Sequence, residues 1–249
     1  MSIIEKGGLQ FIKPDWPAPK NVHAYVTTRI GGYSRSPYDG LNLAHHVGDE
    51  LNIVEKNRQA LTKALQLPNV PVWMDQVHGT EVIDLSSENS SQRPVADGAV
   101  TSHQGLVCAV LTADCLPLLM TNKSGTKVGV LHVGWRGLAD GIIEQGLKVF
   151  AEHPSEVIAW AGPCIGPEDF EVGEDVYDRF SECPSCFTAL GNQKYLANLY
   201  QLTENRLVKH GVENFTHGHY STYRETKLLF SHRRDNKCGR LASLIWWGN

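Results

Sequence analysis

Short runs rich in Val, Ile and Leu alternate along this chain with segments whose apolar positions recur every three or four residues. The short runs predict strands at residues 22–28, 72–74, 81–85, 107–112, 116–120, 128–133, 157–161 and 241–247. The longer period predicts a helix that begins at Asp49, read as its N-cap, and runs to about Leu67, with Leu51, Val54, Leu61 and Leu65 on or near one face. Further helices are expected over residues 138–151, 174–181 and 194–210. Interleaved strands and helices indicate an α/β or α+β domain, and the pattern leaves strand order open. Residues 29–48 form a long loop rich in Gly, Ser, Asn and Pro, and residues 86–94 read as a polar surface loop. With no other break and no repeat, a single domain over residues 1–249 is expected.

Composition adds boundaries to this picture. The chain has 41% hydrophobic and 20% charged residues, so it can bury a sizeable core without disulfides or a structural metal. A net charge of -4 argues against a general attraction to nucleic acid or anionic membrane, and leaves room for a local basic pocket. The N-terminal segment MSIIEKGGLQFIKPDWP has no continuous apolar run of the kind a signal peptide needs. A cytoplasmic chain with reduced thiols is therefore expected. Cys183 and Cys186 have a C-x2-C spacing with no second pair to match; they are read as two free thiols in a polar loop.

Three segments place a metal-binding side chain beside a strand end: Gln76-Val77-His78-Gly79, Thr112-Ala113-Asp114-Cys115, and His132-Val133-Gly134-Trp135-Arg136-Gly137. Two imidazoles and one thiolate suit zinc, and three protein ligands leave a fourth position for water or substrate. Taken singly, each histidine reads equally as a hydrogen-bonded core residue and Cys115 as a small buried hydrophobe.

These segments, together with TTRIGGYS, PYDGLNL, EKNR, FSHRRD and GRLASLIWW in that relative order, resemble the YfiH-like family of laccase-domain proteins from about Pro14 to Trp247. The resemblance implies a layered domain of mixed sheets flanked by helices, with His78, Cys115 and His132 as metal ligands and zinc, or else copper, as the metal. It also implies enzymatic activity on small molecules. The first reading is phosphorolysis of adenosine, inosine and methylthioadenosine to base and ribose 1-phosphate, with adenosine deamination. Alternatives are hydrolytic editing of muropeptide precursors that carry L-Ser, copper-dependent polyphenol oxidation, and metal-dependent binding without turnover. One departure stands out: many members have Tyr-Glu-Val where this chain has Phe170-Glu171-Val172.

Around the ligands, Arg136 at the start of a helix is a candidate to hold phosphate, and it and Cys115 are the catalytic candidates. Arg29, Asn42 and Gln76 are candidate substrate contacts, and Asp114 is a candidate either to orient a ligand histidine or only to shape its turn. Adjacent His45 and His46 would point apart on an extended chain, so that one of them could approach the pocket. A four-copper oxidase needs many histidines, typically in H-x-H pairs. The chain has 11 His, one such pair at His217 and His219, and 3 Met including the first residue. The ligand inventory favours chemistry without redox change.

Overall fold

The computed structural model describes residues 2–86 and 93–248, so most of the surface loop expected over residues 86–94 lies outside the described residues. In chain order the first strands are β1 (Ser2–Lys6), β2 (Leu9–Lys13), β3 (Val22–Thr27), β4 (Val82–Asp84), β5 (Gly98–Thr101), β6 (Cys108–Thr112) and β7 (Leu116–Asn122). They are followed by β8 (Val128–Val133), β9 (Val157–Ala161), β10 (Glu171–Gly173), β11 (Phe187–Gly191), β12 (Lys194–Ala197), β13 (Asn214–His217) and β14 (Leu241–Trp247). The helices are α1 (Leu51–Leu65), α2 (Trp135–Asp140), α3 (Ile142–Phe150), α4 (Glu174–Tyr177), α5 (Leu199–Lys209) and α6 (His232–Asp235).

Two sheets dominate. One has five strands in the order β1-β2-β3-β14-β6, all antiparallel. The other has six, β13-β9-β7-β8-β5-β4, antiparallel except at its two edge pairs. Alternation along the strands sorts their side chains into three apolar layers. Cys108, Val110 and Ile245 from the first sheet meet Leu119, Val130 and Trp160 from the second in a shared core between them. On the outer face of the first sheet, Ala109, Leu111 and Leu244 pack with Leu61 and Leu65 of α1. On the outer face of the second, Leu118, Leu131 and Ala159 pack with Ile143 and Phe150 of α3 and with Leu202 and Leu207 of α5. The result is a helix–sheet–sheet–helix stack. The central strands are covered on both faces, which is why β7, β8 and β9 read as continuous apolar runs rather than alternating ones.

Several expectations need correction. Asp49 does not cap α1: the N-cap is Glu50, without a side-chain cap bond. The Asp49 carboxylate instead accepts from Ser34 Oγ (2.7 Å) and Asn42 Nδ2 (2.9 Å), tying down the long loop. Of the expected helix face, Val54, Leu61 and Leu65 are buried and Leu51 is exposed. Residues 72–74 form no strand; Val72 and Asp75 make only isolated bridges, to Cys108 and Val95. The helix expected over 138–151 starts earlier, at Trp135, and breaks at Gly141. Residues 194–197 are strand β12, not helix, and α5 begins only after Asn198, whose side chain accepts from Gln201 N. Cys183 and Cys186 are not free thiols; they form a disulfide, with Cα atoms 5.5 Å apart. Among the described residues, no helix is long and apolar enough to cross a membrane.

Candidate metal centre

The turn between β6 and β7 carries Cys115, β8 carries His132 near its end, and the segment before β4 carries His78. Pairing of Pro117 with His132 across β7 and β8 sets Cys115 beside the imidazole. His78 arrives from the other side, its ring centroid 4.7 Å from that of His132. One nitrogen from each histidine and the Cys115 sulfur all lie within 4.8 Å of one another. Three donors so spaced, two borderline nitrogens and one soft sulfur, fit a tetrahedral cation with one position left over.

Of the two readings of Asp114, orienting a ligand histidine or shaping its turn, the structure supports the second, and the orienting carboxylate is Asp97. Asp97 is fully buried and its Oδ1 lies 2.8 Å from His132 Nδ1. That contact leaves Nε2 of His132 for the ligand side. The same carboxylate accepts from three successive backbone N–H groups: Val77 at 3.1 Å, His78 at 2.9 Å and Gly79 at 2.8 Å. His78 takes a left-handed backbone, φ 60, which lets these N–H groups converge on one anion. A single carboxylate thus positions two of the three ligands. The readable signal was one acidic residue inside the apolar run Val95-Ala96-Asp97-Gly98-Ala99-Val100.

Asp114, at φ 103, shapes its own turn: Oδ1 accepts from Thr222 Oγ1 (2.6 Å) and Oδ2 from Arg233 N (2.7 Å). Non-glycine residues in this region cost on the order of 1–3 kcal/mol each, and such positions cluster at functional sites.

The three ligand-side groups polarise one another. Burial alone would raise the Cys115 thiol; His132 beside it, together with a hydrogen bond from His78, outweighs burial and holds it below its ordinary value. Burial alone would lower His132; the Cys115 sulfur and Asp97 hold it above its ordinary value. Burial would likewise raise Asp97, and the hydrogen bonds from His132, Gly79 and Val77 keep it below the usual carboxylate range. The two opposed shifts favour a thiolate beside an imidazolium in the metal-free pair.

Gly134 lies against all of this. A Cβ there would sit 3.0 Å from His78 Cδ2 and 3.1 Å from Cys115 Sγ. Gly134→Ala is therefore expected to push two ligands apart and weaken metal binding by about tenfold without unfolding the chain. Chelator competition alongside circular dichroism would check this; unchanged metal affinity would contradict it.

The ligands open into a cleft of about 480 Å³. Its walls include His46, Gln76, Thr112, Trp135, Arg136, Phe170, His232, Arg233 and Arg240. A larger hollow of about 610 Å³, lined by Lys13, Trp16 and Lys20, lies elsewhere; the metal-ligand group found among the described residues is not in it. Arg136 stacks on Trp135 at 4.4 Å, and among the described residues no hydrogen bond or ion pair engages its guanidinium. Arg233 and Arg240 also face the cleft and were missed by sequence reasoning, as was His232. Arg233 lies 5.4 Å over the ring of Phe170. Of the adjacent histidine pair, His46 lines the cleft and His45 bonds Glu55.

The remaining candidates have different surroundings. Gln76 reaches the cleft wall, but both ends of its amide are bonded to Leu111: Nε2 to the carbonyl (2.9 Å) and Oε1 to the N–H (2.7 Å). It holds the end of β6 in place. Asn42 is fully buried away from the cleft wall; its Oδ1 accepts from Ala44 N (3.1 Å) and Arg240 N (3.0 Å), so it anchors a cleft arginine from behind. Arg29 lies off the cleft too, stacked on Phe230 at 4.8 Å and donating to Thr226 O at 3.0 Å. Thr112 differs from all of these. It lines the cleft, and its buried Oγ1 has no partner among the described residues.

Residues 23–248 match a family model described as multi-copper polyphenol oxidoreductase laccase. Over 241 residues the chain is 46% identical to a protein of Escherichia coli (strain K12) named purine nucleoside phosphorylase YfiH, covering 95% of this chain and 98% of that one. A Haemophilus influenzae protein named purine nucleoside phosphorylase is 44% identical over 245 residues, covering 96% and 100% of the two chains. A crystal structure of a Neisseria meningitidis protein superposes with a TM-score of 0.92 at 40% identity over 96% of this chain and 99% of that one. YlmD from Geobacillus stearothermophilus gives 0.90 at 28% identity over 96% of both.

Proposed function

This chain belongs to the laccase-like family to which its YfiH-named relatives also belong, and from that membership we propose that it is a zinc-dependent purine nucleoside phosphorylase. In this reading residues 1–249 form one catalytic domain that works in the cytoplasm on adenosine, inosine or methylthioadenosine with phosphate. The observation that carries it is the Arg136 guanidinium, with no hydrogen bond or ion pair among the described residues, on the same cleft wall as the His78–Cys115–His132 group. A planar fork of donors suits phosphate, and Arg233 and Arg240 add positive charge nearby. Bound zinc would supply Lewis acidity.

In phosphorolysis, a phosphate oxygen forms the new bond to the anomeric carbon while the bond from that carbon to the base nitrogen breaks. Arg136 would hold the phosphate in line for that displacement, and Trp135 and Phe170 offer aromatic surface to the flat base. Asp97 keeps the ligand imidazole fixed throughout. The geometry gives deamination less support. That reaction calls for an acid–base carboxylate, and the carboxylate on the cleft wall, Asp114, has both oxygens committed to Thr222 and Arg233. Two imidazoles and a thiolate would also take copper, with which the family description is compatible.

Purified zinc-loaded protein given adenosine and phosphate should release adenine and ribose 1-phosphate. Cys115→Ala should reduce that rate by at least about a hundredfold. Product no greater than in the Cys115→Ala control would end the phosphorylase reading, whereas inosine formed without phosphate would make deamination the main reaction. Thr112→Val should leave melting temperature unchanged or slightly raised, since it removes an unpartnered buried hydroxyl. If Thr112 Oγ1 contacts substrate, the same variant should raise KM several-fold, and Thr112→Ser should restore it.

A further inference from the structure

The Cys183–Cys186 disulfide lies outside the cleft and plays no part in the reaction proposed for it. Pro184 and Ser185 separate its two cysteines, and the stabilisation gained by closing a loop grows with loop length, so a three-residue separation adds little to the fold. Both cysteines also pack within the apolar layer on the outer face of the six-stranded sheet. A metal reading fails for want of ligands: the converging metal-ligand group among the described residues is the one at His78.

The two sulfurs are unequal. Cys183 forms part of the wall of an open depression of about 440 Å³, together with Ser185, Asn205, Arg206 and Lys209. Cys186 does not reach that wall and is 2% exposed. Asn205, on α5, points its side-chain nitrogen at both sulfurs, 2.7 Å from Cys183 Sγ and 3.1 Å from Cys186 Sγ. That amide carries two protons, enough to serve each sulfur. Hydrogen-bond donors and nearby cations lower thiol pKa and stabilise a departing thiolate. Lys209 lies on the same wall, and Arg206 there is paired with Glu182 (2.7 Å) and Glu144 (2.9 Å).

We propose that Cys183–Cys186 is a reversible thiol–disulfide exchange site that reacts with dithiols through Cys183. One thiolate of the dithiol attacks Cys183 Sγ; a mixed disulfide forms, the Cys183–Cys186 bond breaks, and Cys186 leaves as a thiolate that takes up a proton. The second thiolate of the dithiol then closes on its own mixed-disulfide sulfur and releases Cys183. Two electrons and two protons pass to the protein, and the dithiol becomes a disulfide.

The test equilibrates the native full-length protein with reduced and oxidised dithiothreitol in defined ratios, followed by alkylation and peptide mass spectrometry. Cys183 and Cys186 should become alkylated together, and oxidised dithiothreitol should reverse this. Cys108, Cys164 and Cys238, which are buried with thiols pushed up by burial, should stay unmodified. With labelling read at Cys183 or Cys186 by peptide mass spectrometry, so that Cys115 does not contribute, Cys186→Ser should react with an aromatic disulfide at least about tenfold faster than Cys183→Ser, because Cys183 lines the depression and Cys186 does not. Adding Asn205→Ala to Cys186→Ser should slow that reaction several-fold. Reduction only after urea unfolding, equal rates in the two variants, or free thiols in protein purified in air would each overturn the proposal.

Discussion

Asp97→Asn is expected to lower zinc affinity by about a hundredfold and to destabilise the metal-free chain by about 3 kcal/mol or more. The amide cannot replace the carboxylate in either orientation. With its nitrogen at the Oδ1 position, it faces the His78 N–H and turns a donor toward His132 Nδ1. The imidazole would then have to move its proton to Nε2, the nitrogen needed for the metal. With its nitrogen at the Oδ2 position, it faces the N–H groups of Val77 and Gly79, and the segment that carries His78 loses its anchor. Chelator competition and thermal unfolding of the metal-free and metal-loaded variant would measure both effects. An Asp97→Asn protein that binds zinc as the parent does would show that the ligands are held by something else.

Zinc uptake at neutral pH should release about one proton per metal ion. The sign follows from the two opposed shifts. Cys115 is held low, so its sulfur is already a thiolate; His132 is held high, so its ring is charged and must lose a proton before it can ligate. Affinity should therefore rise by about tenfold per pH unit in the window between the depressed Cys115 value and the elevated His132 value. Below that window two protons must leave and the slope should steepen; above it the dependence should flatten. Calorimetry in buffers of different ionisation enthalpy counts the protons directly. Uptake without proton release at neutral pH would mean that the metal-free pair is not ionised.

The His78–Cys115–His132 cluster could be read from the sequence because each member lies within a short motif, and the motifs occur in the order of a known family. Asp97 carries no motif. Its meaning depends on the His78 backbone turning left-handed over it, a tertiary fact with no local signature beyond one acid in an apolar run. The same limit explains Arg233 and Arg240, which reach the cleft from the far end of the chain. Lys194, Leu196 and Ala197 favour helix over residues 194–197; pairing with β10 and β11 on both sides overrides that preference. The Asn198 cap was legible and marked the true start of α5. The β1–β2 hairpin was legible too, and overlooked: Gly7 and Gly8 separate two apolar runs, and both have positive φ, as a tight two-residue turn requires.

Cys115 occupies the short turn in which the polypeptide steps from the five-stranded sheet to the six-stranded sheet, between β6 and β7, while His78 and His132 belong to the second sheet's side. A cation gripping all three would act as a clasp across the spine of a two-leaved book. Amides of β6 and β7 should then exchange with deuterium more slowly when the clasp is shut, so occupancy of the centre would be felt in the middle of the core as well as at the mouth of the cleft.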